Sequence, residues 1–209
     1  MKVRSDSFRD GDYLSAQYAF GKRSADGKID LSDNENPHLS WSELPEGTKS
    51  IAITCVDSDV PTKPDDVNQE GRVVPADLPR TEFCHWVVLD LDPNGEVAEG
   101  EFSEGVTAKG KDGPEGPRGT RQGLNDYTGW FASDPEMAGD YYGYDGPCPP
   151  FNDSIVHHYR FTVYALDVER IALDGKLTYG QVRDAMDGHV LDQASLTAKY
   201  TINPDAKEL

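Results

Sequence analysis

Two histidines, two aspartates and a tyrosine stand where apolar strand patterns begin or end. Asp57 and Asp59 continue the alternation of one apolar run, and His85 precedes a second. His157 and Tyr159 begin a third. Near neutral pH a histidine is a cation or a neutral donor, a tyrosine donates through its hydroxyl, and an aspartate can fix a histidine tautomer. Such a set of groups suits a small anion such as phosphate.

Three runs with period-two alternation predict the strands that carry these groups. They are residues 50–56, 81–91 and 157–167. We expect residues 57–61 to close the first strand as a turn, and the three prolines in residues 146–150 to stiffen the chain before the third. If the three strands are neighbours in one sheet, their polar ends meet at the edge of an apolar core.

The same residues leave other interpretations open. Two imidazoles and a carboxylate are also a metal-ligand set. His157 and Asp57 would serve as the acid–base pair of a weak hydrolase, although no nucleophile is identified beside them. No serine occupies a GxSxG motif and no phosphate loop of Walker type is present. A histidine at a strand end is often only structural.

The rest of the chain is predicted to be strands and long loops, with helix near the carboxyl terminus. Residues 62–80 and 109–139 are interpreted as long surface loops. Helical spacing predicts a helix over residues 177–191 with Thr178 as its N-cap. Residues 194–202 are interpreted as a further helical turn followed by a strand.

The composition favours one globular domain and limits its partners. The chain has 209 residues, 36% of them hydrophobic, so we predict a single domain over residues 1–209. A net charge of −18 argues against nucleic acid and anionic membrane surfaces, because both bind clustered Lys and Arg.

No stretch is apolar enough for a signal peptide or a membrane span. Three cysteines without metal-ligand spacing suit a reducing compartment, so the expected location is the cytoplasm, and no cofactor is predicted.

Three ordered motifs resemble those of the phosphatidylethanolamine-binding proteins, the family of the Raf kinase inhibitor-like proteins. Residues 57–61, DSDVP, are similar to the DPDxP motif. Residues 146–150, GPCPP, followed by HHY at 157–159, are similar to the GxxPP…HxY motif. His85 lies in a CHW triplet similar to the family's central-strand histidine, and FTVYALD at 161–167 matches the form usual in bacterial and archaeal members.

The resemblance implies a mostly β fold, a β-sandwich of two antiparallel sheets, to which the predicted carboxyl-terminal helix is added. It also implies a small cavity for phosphate-like anions or phospholipid head groups. The expected ligand-binding residues are Asp57, Asp59, Pro61, His85, Gly146, Pro149, His157 and Tyr159.

Three departures from the family pattern concern the ligand more than the fold, and one of them is the length of the loops at residues 62–80 and 109–139, which could cover the site or form a partner surface. Ser58 replaces the usual proline of DPDxP, which loosens that turn. Phe151 follows the two prolines where a small residue is common, so we expect a narrower or differently shaped cavity mouth.

The leading hypothesis is a non-catalytic, regulatory anion-binding protein. His85 and His157 would hold the anion, Tyr159 would donate to it, and Asp57 would orient an imidazole. The alternative is an inhibitor of a kinase or peptidase that binds its protein partner through the long acidic loops. The physiological ligand, the protein partner and the oligomeric state, a homodimer included, stay open.

Overall fold

A computed structural model describes residues 1–209, and strands dominate its architecture. Twelve strands are present: β1 (Lys2–Arg4), β2 (Gly21–Arg23), β3 (Ile29–Leu31), β4 (Leu39–Ser42), β5 (Ser50–Pro61), β6 (Arg80–Leu91), β7 (Glu96–Val97), β8 (Gly110–Lys111), β9 (Arg121–Gln122), β10 (Asp140–Tyr141), β11 (His157–Leu166) and β12 (Val190–Tyr200). The two α-helices are α1 (Tyr127–Trp130) and α2 (Tyr179–Met186). Neither helix has the length and apolar character needed to cross a membrane. The predicted mostly β class is confirmed.

One five-stranded antiparallel sheet, in the order β12, β11, β5, β6, β9, organises the molecule. Its three central strands contain the three runs predicted from the sequence. They are buried over most of their length on both faces. In β5, Ile51, Ile53 and Cys55 pack into one core, while Ala52 packs into another. Both faces exclude water, which is why apolar residues run almost without interruption through this strand.

The main core lies between this sheet and a three-stranded antiparallel sheet of β1, β4 and β7. Leu39 of β4 and Val97 of β7 pack in one cluster with Trp86 of β6 and Phe161 of β11. The sandwich implied by the family resemblance is therefore present. Two small sheets add to it, β2 with β3 and the parallel pair β8 with β10.

Helix α2 covers the opposite face of the five-stranded sheet. Val182 and Met186 of α2 pack against Ala52 of β5 and Leu89 of β6. Thr178 is the N-cap, as predicted: its hydroxyl accepts from the backbone N–H of Gln181, whose side chain accepts in return from the backbone N–H of Thr178. The second core therefore depends on a helix whose start is fixed by its own sequence.

The carboxyl-terminal prediction was wrong in two places. α2 ends at Met186 instead of continuing to residue 191, because Gly188 adopts a left-handed conformation with φ +80°. The predicted helical turn after residue 194 is absent, since β12 pairs with β11 from Val190 to Tyr200. Cross-strand pairing overrides the local helical spacing there.

The predicted turn at residues 57–61 was also wrong, because β5 continues to Pro61. Pro61 and Val60 still pair with β6. The strand is irregular at this point: the backbone N–H of Asp59 donates a 2.7 Å hydrogen bond to Oδ1 of Asp57, and the register with β6 shifts between Asp57 and Val60. The turn chemistry of this motif therefore kinks a strand without ending it.

Among the contacts of the loop of residues 62–79, the side chain of Asn152 makes the largest group. Nδ2 of Asn152 donates to the carbonyl oxygens of Asp66, Gln69 and Arg72 at 2.8, 3.2 and 3.1 Å. Its Oδ1 accepts a 3.0 Å hydrogen bond from the backbone N–H of Asn68. This long loop is consequently fixed beside the segment that leads into β11.

Candidate ligand-binding site

Strand register brings polar and aromatic residues together at one end of the five-stranded sheet. Tyr159 of β11 pairs with Asp57 of β5, and Asp57 pairs with Phe83 of β6. Directly paired residues point to the same side of a sheet, so these three side chains share a face. All three line one cavity.

A β-bulge brings His85 to this cavity. On β6, Trp86 and Cys84 pair with consecutive residues of β5, so His85 between them has no partner. Trp86 packs in the main core, and strict alternation from it would point His85 toward α2. The extra residue instead places the His85 ring 5.2 Å from the Tyr159 ring, edge to face. Bulges often redirect a side chain in this way beside functional sites.

His157 is held between two carboxylates. Its Nδ1 lies 2.7 Å from Oδ2 of Asp57, and its Nε2 lies 3.0 Å from Oδ2 of Asp153. Burial lowers the pKa of His157, but the charges and hydrogen bonds of the two aspartates outweigh burial and raise the pKa to about 9. The ring is therefore a cation at neutral pH, and both N–H groups donate to the protein. This corrects the expectation that His157 holds an anion, since neither nitrogen is free for a ligand.

Asp153 belongs to this group and was missed in the sequence. It accepts two hydrogen bonds from the Arg80 guanidinium, at 2.6 and 3.0 Å. Burial raises the pKa of Asp153, but the hydrogen bonds from His157 and Arg80 prevail and hold it below its usual value. With Asp57 the cluster contains two carboxylates and two cations, so its charges cancel. Asp153 lies four residues before His157, but this spacing did not predict their contact, because residues four apart are neighbours only on a helix.

His85 offers a neutral ring with one free nitrogen. Its Nδ1 lies 2.8 Å from the backbone oxygen of Asp145, and a carbonyl only accepts, so Nδ1 carries the proton. Burial lowers the pKa of His85, so the ring is neutral and Nε2 is an acceptor without a partner in the protein. The carboxylate of Asp145 is itself fixed, by 2.8 Å hydrogen bonds from Asn34 and Asn125 and a 3.2 Å ion pair with Lys111.

The hydroxyl of Tyr159 is buried and makes no hydrogen bond with the protein. Burial raises the pKa of Tyr159 well above its usual value, as do the charge and the close approach of the Asp57 carboxylate, which does not reach hydrogen-bond geometry, so the hydroxyl stays protonated. A buried hydroxyl without a partner costs on the order of 1–3 kcal/mol. The Tyr159 side chain is one of those that line the cavity, so this unpaired hydroxyl lies at the cavity wall.

The cavity has a volume of about 290 Å³, and 12 of its 19 lining residues are hydrophobic, so polar groups are confined to a small part of its surface. Pro61 at the end of β5 and Cys148, Pro149 and Pro150 of the GPCPP turn form parts of its wall. Burial raises the pKa of the Cys148 thiol to about 12, so it remains protonated.

Six of the eight residues predicted to bind a ligand line this cavity. They are Asp57, Pro61, His85, Pro149, His157 and Tyr159. Asp59 does not: its Oδ2 instead accepts from the backbone N–H of His158 at 2.8 Å and lies 2.9 Å from Nδ1 of the same residue.

Gly146 also lies outside the cavity lining and has a packing role. A Cβ at this position would lie 2.0 Å from the backbone oxygen of Tyr18. Its own N–H donates to Oδ1 of Asn34, and its carbonyl accepts from the hydroxyl of Tyr127, both at 2.8 Å. Phe151, expected to narrow the mouth, is not part of the cavity wall either.

An aromatic part of the wall was missed in the sequence. Phe20, Tyr127, Trp130 and Phe131 all line the cavity, although they come from two distant segments of the chain. The sequence shows that residues 127–131 are rich in aromatic side chains, but it does not show that they line this cavity.

No group of three or more His, Cys, Asp and Glu side chains is arranged to hold a metal ion. The two histidines of the possible metal-ligand set are engaged in hydrogen bonds with different partners. His157 contacts two carboxylates, and His85 contacts a backbone carbonyl. The geometry therefore offers no support for the metal-site interpretation.

Almost the whole chain is similar to known proteins. The family model described as phosphatidylethanolamine-binding protein matches residues 4–201. YbhB of Escherichia coli K12, a UPF0098 protein, is 33% identical over 201 residues, which cover 96% of this chain and 100% of YbhB. A UPF0098 protein of Methanothermobacter thermautotrophicus is 30% identical over 200 residues, covering 96% of this chain and 98% of that protein.

Solved structures share the fold. The crystal structure of E. coli YbcL, described as a new member of the mammalian PEBP family, superposes with a TM-score of 0.66 at 26% identity and covers 96% of this chain and 97% of YbcL. CT736 of Chlamydia trachomatis gives a TM-score of 0.62 at 27% identity, with 95% of each chain covered. From the match over residues 4–201 and the 33% identity to YbhB, it follows that this chain belongs to the phosphatidylethanolamine-binding protein family.

Proposed function

We propose that this chain is a non-catalytic binding protein whose cavity takes the phosphate-like end of a small ligand. The hydroxyl of Tyr159 is the observation that carries the proposal, because it belongs to a side chain that lines the cavity and has no hydrogen-bond partner of good geometry in the protein, with the Asp57 carboxylate nearby. Nε2 of His85 is the second polar contact, since its ring lies 5.2 Å from the Tyr159 ring and only Nδ1 is used by the protein.

The protonation states of the two groups match a phosphate that carries one proton. Neutral His85 offers an acceptor at Nε2, and Tyr159 offers a donor through its hydroxyl. A monoprotonated phosphate has one P–O–H donor and several acceptor oxygens, so it can satisfy both. It also places less negative charge beside Asp57 than a dianion would, and His157 already offsets the charge of Asp57.

Binding is favoured over catalysis by the state of the nearby side chains. The Cys148 thiol is protonated because burial raises its pKa to about 12. His157 donates both N–H groups to carboxylates and has no free nitrogen to act as a base. The cavity therefore lacks an activated nucleophile with a base beside it.

Calorimetric titration with inorganic phosphate tests this function. We expect binding at millimolar concentration or tighter, and at least about a tenfold loss of affinity in Tyr159→Phe, as for a hydrogen bond to a charged group. Affinity should also fall as the pH rises from 6 to 8, because the complex retains one proton that phosphate increasingly lacks.

Tyr144→Phe is the matched control for this titration. Tyr144 is equally buried, but its hydroxyl donates a 2.6 Å hydrogen bond to the Tyr18 carbonyl and does not line the cavity. This variant should keep wild-type affinity. The proposal is wrong if phosphate does not bind, or if Tyr159→Phe binds it as tightly as the wild-type protein does.

A further inference from the structure

His85 and Asp145 are joined by two hydrogen bonds, and one of them fixes the tautomer of the histidine. The backbone N–H of Asp145 donates to the backbone oxygen of His85 at 3.0 Å, and Nδ1 of His85 donates to the backbone oxygen of Asp145 at 2.8 Å. Nδ1 carries the proton because a carbonyl accepts and never donates. The direction of one peptide group, between Asp145 and Gly146, therefore decides which nitrogen of His85 is protonated.

The opposite direction of this peptide group would reverse the tautomer. The peptide bond is trans, so its C=O and N–H point in opposite directions. If the group turned over, the N–H of Gly146 would face Nδ1 of His85, Nδ1 would have to accept, and the proton would lie on Nε2. The side chain that holds this peptide group therefore determines whether Nε2 is an acceptor or a donor.

Asn34 holds the peptide group from both of its residues. Its Oδ1 accepts a 2.8 Å hydrogen bond from the N–H of Gly146, and its Nδ2 donates at 2.8 Å to Oδ1 of Asp145. Asn34 is fully buried and lies 111 residues before Asp145 in the chain. It does not line the cavity, so its route to His85 runs through this peptide group.

The position of Asn34 requires an amide side chain on a left-handed backbone. Its φ is +53°, in a region that asparagine adopts more readily than most other residues with a side chain. Nδ2 also donates a 3.1 Å hydrogen bond to the carbonyl of Gly105. An amide supplies an acceptor for Gly146 together with donors for these oxygens, whereas an ionised carboxylate supplies no donor.

We propose that Asn34 is a positioning residue for His85, which fixes the direction of the Asp145–Gly146 peptide group and so keeps the proton on Nδ1 and Nε2 open to accept. The consequence for a ligand rests on the proposed function, in which Nε2 accepts from a protonated phosphate. The tautomer itself is a property of the protein without ligand.

Nitrogen NMR of the His85 ring in Asn34→Gly tests this role. Glycine adopts a positive φ without strain, so the substitution removes the side chain and leaves the backbone conformation accessible. We expect the wild-type ring to be in the Nδ1–H form. In Asn34→Gly the ratio of the Nδ1–H to the Nε2–H form should fall about tenfold, as for the loss of one buried hydrogen bond, and the Nε2–H form should become detectable.

Asn125→Ala is the matched control for the side chain of Asp145. Asn125 is also buried, and its Nδ2 donates at 2.8 Å to the other carboxylate oxygen of Asp145, but it makes no hydrogen bond with the N–H of Gly146. This variant should keep the Nδ1–H form.

Asn34→Asp is the conservative variant. Aspartate also tolerates a positive φ and retains an acceptor for the N–H of Gly146, although a second carboxylate beside Asp145 is destabilising. We expect lower stability than in the wild-type protein but the same His85 tautomer. A purely structural role of Asn34 would not separate these two properties.

The pH dependence of phosphate binding gives a second readout. In the wild-type protein, affinity should fall from pH 6 to 8 because Nε2 accepts a proton that the phosphate supplies. In Asn34→Gly, the Nε2–H form and Tyr159 both donate, so most of this fall should be absent. The charged groups that face His85 are Asp57, Asp126 and Asp145, and they are the same in both proteins.

The outcomes separate this inference from the proposed function. An Nε2–H ring in the wild-type protein would overturn the inference without any variant. It would also be overturned if Asn34→Gly kept only the Nδ1–H form, or if Asn125→Ala changed the tautomer equally. If phosphate does not bind but Asn34→Gly alters the tautomer, the proposed function fails and the positioning role is retained.

Discussion

At the scale of single residues, two buried histidines of the same site differ in charge because their partners differ. His157 donates to the carboxylates of Asp57 and Asp153, which raise its pKa to about 9. His85 donates to the backbone carbonyl of Asp145, and burial lowers its pKa. A carboxylate carries the full charge that stabilises an imidazolium, and a carbonyl does not. His157 therefore uses both ring nitrogens within the protein, while Nε2 of His85 has no partner there.

The charge of His157 predicts how stability changes with pH. Its pKa rises from 6.5 to about 9 on folding, so its contribution is complete below about pH 6.5 and is lost as the pH rises through 9. This contribution is on the order of 3 kcal/mol. We expect the free energy of unfolding in urea to fall between pH 6.5 and 9 in the wild-type protein, and most of that slope to be absent in His157→Gln.

His189→Gln is the control for this pH series. His189 also contacts an aspartate, with Nδ1 2.8 Å from Oδ1 of Asp167, but its side chain is 43% exposed. This variant should keep the wild-type slope. Equal slopes for His157→Gln and the wild-type protein would show that His157 is not a buried cation.

At the scale of elements, irregularities in the strands and loops build the site. The bulge in β6 redirects His85, the hydrogen bond from the N–H of Asp59 to Asp57 kinks β5, and the rigid turn of residues 146–150 forms a wall. Loop 62–79 adds Val67 and Asn68 to the cavity lining. Regular strands alone would supply the core but not this cavity.

Asn152 is predicted to hold loop 62–79 in place. Asn152→Ala removes all its hydrogen bonds to residues 66–72 at once. We expect amide hydrogen exchange in this stretch to become roughly tenfold faster or more, as for a local loss above about 1.4 kcal/mol. Exchange measured by mass spectrometry on peptides covering residues 64–73 provides the readout.

Ser154→Ala is the matched control for the loop. The hydroxyl of Ser154 donates a 2.7 Å hydrogen bond to the carbonyl of Val74, at the other end of the same loop. Exchange in residues 66–72 should be unaffected by this change. If Asn152→Ala also leaves exchange there unchanged, the loop does not depend on this side chain.

At the scale of the whole molecule, an acidic protein surrounds a site with little net charge. The chain carries a net charge of −18, yet His157 and Arg80 offset the carboxylates of Asp57 and Asp153 at the cavity. Long-range attraction of an anion is therefore not available to this protein. In the proposed anion binding, affinity must therefore come from the few hydrogen bonds in the cavity and from contact with its apolar lining.

Much of this architecture could be predicted from the sequence because strand alternation is a local property. The central strands, the mostly β class and the gathering of Asp57, His85, His157 and Tyr159 followed from alternation and from the family motifs. The bulge at His85 could not be predicted, because a register shift depends on the partner strand. The Asp153 contact and the aromatic part of the cavity wall were missed for the same reason, since they join segments that only the fold brings together.

The most direct test of the central claim is nitrogen NMR of the histidine rings in ¹⁵N-labelled protein, with signals assigned by His85→Gln and His157→Gln. Without ligand at pH 7, we expect both nitrogens of His157 to be protonated and Nε2 of His85 to be unprotonated. Saturating phosphate should shift Nε2 of His85 toward the protonated, hydrogen-bonded range and leave His157 unchanged. A response of His157 without one of His85, or no response of either ring, would contradict the account.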